Sequence, residues 1–273
     1  MRLLLALGII LSMTCTHADA QKGYEVGGWL GVAHYFGDLN TTFKINRPGV
    51  AGGIIGRYNF NTRLSVKVGV NYGRVSAYDS DSKNQFELTR NLSFRTNIIE
   101  GIGQFEFNFL PYIHGSRDDF FTPYLFGGVG FFYFNPMAQL DGEWVALQPL
   151  GTEGQAIGGE YNKGQMSLVY GAGFKMDLSY AWSLNFELSA RALFSDYLDD
   201  VSTVYPNSVE LQALRGDIAA RLSDRSLEVS DEAIGEEGRQ RGTSTTNDAY
   251  AFFSIGLVYY IGTLQCPPIS RPR

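Results

Sequence analysis

Between Trp182 and Ser195 apolar and polar residues alternate, interrupted only at Leu193. Trp182, Leu184, Phe186, Leu188, Ala190, Ala192 and Phe194 share one parity, and Ser183, Asn185, Glu187, Ser189, Arg191 and Ser195 the other. A helix would scatter both sets round its circumference, whereas a strand sorts them onto opposite faces. The chain must therefore build sheet with one apolar and one polar face, and the pattern recurs. Residues 99–109 set Phe105, Phe107 and Phe109 against Glu100, Gln104, Glu106 and Asn108. Leu64, Val66, Val68, Val70 and Tyr72 alternate with Ser65, Lys67, Gly69, Asn71 and Gly73, and Phe253, Ile255, Leu257, Tyr259 and Ile261 mark one face of residues 250–261. Fainter versions occupy residues 24–36, 49–60, 123–134 and 165–178, which brings the count to eight. An even count lets both ends of a single-chain membrane barrel finish on the same side.

The expected fold is all-β: an eight-stranded antiparallel up-and-down transmembrane β-barrel with long extracellular loops. With a periplasmic N-terminus, the shorter links 61–62, 110–122 and 179–181 fall on the periplasmic side, and the longer links 36–48, 78–92, 135–164 and 197–248 fall outside. Beyond the N-terminal segment no run of about 18 apolar residues occurs, which excludes a bundle of membrane-spanning helices. With 22 basic against 28 acidic residues, a net charge of −6, no basic surplus exists to displace counterions from a nucleic acid. A soluble sandwich or lipocalin-like barrel would reverse the two faces, and alternation alone does not say which face is wet.

Charge arithmetic favours the membrane assignment. With the apolar faces on lipid, the lumen receives Glu25, Arg57, Lys67, Glu100, Glu106, Lys175, Asp177, Glu187 and Arg191, four positive and five negative groups. An eight-stranded barrel is just wide enough for side chains to fill, so these charges are expected to pair as a structural plug with no diffusion pore. Tyr24, Tyr58, Tyr72, Tyr133, Tyr180 and Trp182 stand near strand ends, where interfacial girdles place aromatic residues.

Residues 1–20 read as a signal peptide: Arg2 supplies the positive start, residues 3–11 the apolar stretch, and Ala18-Asp19-Ala20 the cleavage signal. Lipidation at Cys15 fits less well, because Met13-Thr14 is a poor match to the small residues expected before a lipidated cysteine. Cleavage leaves Cys266 without an intrachain partner, so the barrel, residues 21–265, holds itself by packing and hydrogen bonds. A Pro-rich tail, residues 266–273, follows it. In the longest link, Asn207 and Glu210 form a capping box ahead of Leu211, Leu214, Ile218 and Leu222 at helical spacing, so a short helix interrupted by Gly216 is expected there. Residues 226–247 are polar and expected to be mobile.

Chemistry-bearing constellations are sparse. His34 lies late in the first strand and His114 in a periplasmic link, too far apart to act together. A lipid-modifying barrel enzyme would have to use His34, and no spacing identifies its serine and acid. Two histidines and one cysteine make no zinc site. Gly101 with Gly103 and Gly171 with Gly173 lie inside strands, not between a strand and a helix, so they are not expected to cradle phosphate. No cofactor, metal or small-molecule substrate is expected.

Several pieces, in order, resemble the PorG-like outer-membrane proteins of the type IX secretion system. They are His34-Tyr35-Phe36-Gly37-Asp38-Leu39-Asn40 with Arg47-Pro48, Arg57-Tyr58-Asn59-Phe60-Asn61, and Arg90-Asn91-Leu92-Ser93-Phe94. Residues 105–109, residues 121–128, Arg241-Gly242 and Cys266-Pro267 continue the likeness across nearly the whole mature chain. The resemblance implies a non-enzymatic barrel associated with a periplasmic ring of a PorK-like lipoprotein and a PorN-like partner. Contacts to that ring are expected on the periplasmic side, from Tyr112, His114, Arg117, Cys266 and Pro267. The alternative is a generic small barrel that stabilises the envelope or binds ligands through its extracellular loops.

Overall fold

The computed structural model describes residues 22–41 and 44–262, so the signal segment, Cys266 and Pro267 lie outside the described residues. Its strands are β1 (Gly23–Phe36), β2 (Gly49–Asn59), β3 (Leu64–Tyr78), β4 (Ser93–Asn108), β5 (Phe121–Phe134), β6 (Met137–Leu140), β7 (Glu143–Ala146), β8 (Gly164–Asp177), β9 (Trp182–Leu193) and β10 (Ala249–Ile261). Eight of them form the barrel, and β6 with β7 makes a separate hairpin that touches β4 where Met137 meets Arg95. Barrel neighbours pair antiparallel, and β1 on β10, from Tyr24 opposite Ile261 to Phe36 opposite Ala249, closes the ring.

Exposure settles which face is wet. Leu30, Ile54 and Phe105 are 77%, 68% and 70% exposed, whereas Lys67, Glu100 and Arg191, on the opposite parity, are 3%, 1% and 2% exposed. Apolar side chains outside and charged ones inside is the reverse of a soluble sandwich, and a surrounding hydrocarbon phase makes it favourable. Along β3 the outward row runs Leu64, Val66, Val68, Val70, Tyr72 before its first charge, Arg74. At about 3.4 Å per residue and a tilt of about 40°, that row covers about 20 Å of membrane height, close to the apolar band of such barrels. The protein is a membrane-spanning antiparallel barrel, and among the described residues no helix is long and apolar enough to cross a membrane.

One end carries tight turns. Asn61 closes the first by accepting the backbone N–H groups of Arg63 and Leu64 at 2.8 Å each. At the other end the long links are folded. The helix α1 (Gln85–Arg90) starts on Asn84, which accepts the Phe86 N–H, and ends at Asn91 in the left-handed region, φ 54°. The helix expected after Asn207 is α2 (Ser208–Arg215), with Asn207 accepting from Val209 and Glu210. Gly216, φ 90°, breaks it before α3 (Asp217–Ser223). Residues 226–247 are anchored at both ends. Ser226 and Arg241 are buried there and hydrogen-bonded within the loops, while most positions between them are exposed.

Candidate functional site

All eight barrel strands send polar groups into the lower lumen, toward the turn end. Glu106 is the hub, with Arg57 Nε at 2.8 Å, Lys67 Nζ at 3.4 Å and Lys175 also on its carboxylate. Arg57 also pairs with Glu25, and Lys67 reaches across to Glu187, which accepts the Tyr124 hydroxyl at 2.8 Å. One level higher, Arg191 Nη2 meets Glu100 at 2.6 Å, and Glu100 further accepts from Tyr250 at 2.7 Å and Asn71 at 2.8 Å. The expected lumen residues thus gather into two networks, one around Glu106 and one around Glu100, and each cation lies on at least one carboxylate. Toward the loop end the lumen turns apolar, filled by Phe94, Ile98, Phe132, Phe134 and Phe252. Arg191 lies between the two zones, its guanidinium 4.2 Å from the Phe252 ring centre.

The turn end is closed from inside by residues 109–120. Tyr112 and His114 were expected on a partner-facing surface, but the link folds back and they point into the barrel mouth, 5% and 2% exposed. His114 stacks on Tyr260 at 4.3 Å and sets its two ring nitrogens 3.0 Å from Asp177 and 3.1 Å from Glu25. Tyr112 donates its hydroxyl to Asp177. Burial opposes charge on His114, but the two carboxylates outweigh it and raise its pKa above the ordinary histidine value. Arg117, by contrast, is exposed. No periodicity announces the inward turn, because it depends on carboxylates contributed by β1 and β8.

The loop end is a built cap, and the segments singled out in the sequence converge there. Tyr35, at the top of β1, stands 2.5 Å from Asp199 and 2.8 Å from Asp248, and its ring meets Phe94 edge-on at 4.8 Å. A side chain on Gly37 would overlap the Asp248 carboxylate and the Tyr35 hydroxyl, so the chain needs glycine at that approach. Arg90 holds Asp79 through two bonds of 2.7 and 2.8 Å and donates to the carbonyls of Asp38 and Arg241. Arg241 donates to the Asp200 carbonyl at 2.6 Å and pairs with Glu153 at 3.1 Å. Two buried arginines therefore tie all four loops together. Burial pushes Asp200 up to about 6, and burial with the repulsion of Asp248 pushes Asp196 up to about 8. Asp199 and Asp248 are both raised, first by burial.

His34 lies on the outward parity with its ring edge-on to Phe253, at the opposite end from His114. Among the described residues no group of three His, Cys, Asp or Glu side chains has metal-holding geometry.

Among solved structures the chain is similar to OprG of Pseudomonas aeruginosa, at 10% identity over 89% of this chain and 98% of that one, with a TM-score of 0.44. It is also similar to Neisserial surface protein A, at 11% identity over 87% and 96% with a TM-score of 0.42. The Yersinia pestis attachment invasion locus protein Ail matches at 10% identity over 89% and 99%, with a TM-score of 0.40. No curated protein matches the sequence. A family model described as a domain of unknown function, DUF6089, matches residues 1–220, most of the chain, and the protein belongs to that family.

Proposed function

We propose that this barrel is a non-enzymatic outer-membrane component of a type IX secretion machine, anchoring or positioning a periplasmic ring of PorK-like and PorN-like subunits. The observation that carries the structural half of this reading is the filled lumen. Ion pairs wedge its lower half, aromatic side chains its upper half, and Tyr112 and His114 its floor. Charged groups paired across the lumen stiffen a barrel, and side chains that fill an interior of this width leave no path for solutes. The secretion half rests on the ordered sequence segments that resemble the PorG-like proteins.

In this reading the turn end faces the periplasm. Tyr112 and His114 brace the surface from behind, and Arg117 with half-exposed Tyr180 forms its outside. Affinity purification of tagged protein from gently solubilised envelopes tests the proposal. Recovery of both ring subunits in comparable amounts is expected, with their loss on deleting residues 266–273 or reversing Arg117 to Glu. A solitary barrel overturns the anchoring role.

The second reading, a barrel that acts through its loops on the outside, is favoured by the rigid cap. It expects function to survive changes in the turns and tail and to fail when the cap is loosened.

A further inference from the structure

Lipid-facing cations sit on one sector of the barrel's loop end. In β3 the outward row passes from Tyr72 to Arg74, and in β4 from Ile99 through Asn97 to Arg95. Arg74 lies opposite Asn97 and Ser76 opposite Arg95, so the two arginines are diagonal neighbours on the outer face. Side chains at diagonal positions start about 7 Å apart, close enough for two guanidinium groups to converge on one group. The sector of β8, β9, β10 and β1 differs, for its outward positions at the same height are Met166, Phe194, Ala249 and Phe36.

What surrounds these arginines leaves their charge available. Arg74 donates Nε to Asn97 at 2.9 Å, and the Arg95 guanidinium lies over Trp144, 3.6 Å from its ring centre. Among the described residues neither forms an ion pair, while nearby acids are taken: Asp81 by Arg47, Asp141 by Arg221 and Glu228 by Arg225. Lys163 stands 6.0 Å from the Tyr133 ring in the same sector. Two half-buried arginines held in place by neutral partners, just above the apolar band, occupy the height at which lipid phosphates lie.

We propose that Arg74 and Arg95 form a binding site for the phosphate of a phosphorylated glycolipid in the membrane leaflet at the loop end. The choice of leaflet rests on the reading above that the loop end faces outward. Bidentate guanidinium donors grip the phosphate oxygens, Lys163 adds charge from the side, and the acyl chains lie along the outward row of β3 to β5.

Native mass spectrometry of the full chain in neutral detergent, titrated with bisphosphorylated lipid A, tests this. The expected result is one retained lipid, with affinity falling at least about tenfold in the Arg74→Gln, Arg95→Gln double variant and only partly restored by Arg74→Lys, Arg95→Lys. Heat-modifiable electrophoretic mobility confirms that each variant is folded. Equal retention of dephosphorylated lipid A or phosphatidylglycerol, unchanged binding in the double variant, or full displacement by millimolar inorganic phosphate overturns the proposal. Ring co-purification is a separate readout, so either idea can fail without the other.

Discussion

Tyr35 carries one hydroxyl proton but stands within hydrogen-bonding reach of two carboxyl groups, Asp199 and Asp248. The outer oxygens of those groups already accept the N–H of Val201 and of Leu198, so at least one carboxyl must keep its own proton to complete the chain. The same holds nearby for Asp196, pushed up to about 8 by burial and by Asp248, with Asp38 and Glu153 adding repulsion. A carboxyl whose pKa is raised on folding contributes stability that is intact below about pH 4 and is lost as pH rises through its folded value. The cap is therefore expected to loosen progressively between about pH 4 and pH 8, and Asp196→Asn to flatten the upper part of that response. Hydrogen-exchange protection of residues 194–248, corrected for intrinsic rates, measures both; protection that rises with pH contradicts the assignment. In the lumen the expectation is different in kind. Glu106→Gln leaves Lys175 buried without a carboxylate while Arg57 and Lys67 keep Glu25 and Glu187, and a loss of about 3–5 kcal/mol is expected in urea unfolding from lipid vesicles.

At the scale of elements, strands and loops obey different rules of legibility. Residues 182–195 declare a strand because all positions but Leu193 contribute to one period, and β9 spans Trp182–Leu193. The strand expected over residues 99–109 begins earlier, at Ser93, and β3 continues to Tyr78, since toward the loop end apolar Phe94, Ile98 and Val75 face inward while Arg95, Asn97 and Arg74 face outward, which inverts the pattern read lower down. Within the loops only the Asn207 cap was readable, for it acts on its own next three residues. The cap as a whole was not, because Arg90 is joined to Asp38 and Arg241 across 52 and 151 residues and no local pattern reports such pairings. Those arginines make the loops a single unit. Arg90→Met is expected to raise protease cleavage within residues 194–248 by at least about tenfold while the barrel keeps its heat-modifiable mobility. Gly37→Ala, which crowds Asp248 and Tyr35, is expected to act in the same direction by about 1–3 kcal/mol.

For the whole molecule, the inward-facing charges were legible from parity alone, whereas the closure of both ends was not. A filled lumen predicts an absence of stable conductance steps in planar bilayers across about 100 mV, and the Tyr112→Ala, His114→Ala pair is expected to leave that silence intact, because the Glu106 lattice and the aromatic zone lie beyond the floor. Steps of hundreds of picosiemens in the parent protein contradict the plugged architecture. The two networks also bear on biogenesis. Their members come from β1, β2, β3, β4, β5, β8, β9 and β10, and the links from Arg57 to Glu106, Lys67 to Glu187 and Arg191 to Glu100 join strands that are not neighbours. A hairpin entering the bilayer by itself would carry bare charges into hydrocarbon, so partial insertion is disfavoured until the last strand meets the first. Assembly of this chain should be concerted, with a late transition state that already resembles a closed cylinder and no long-lived half-barrel in the membrane.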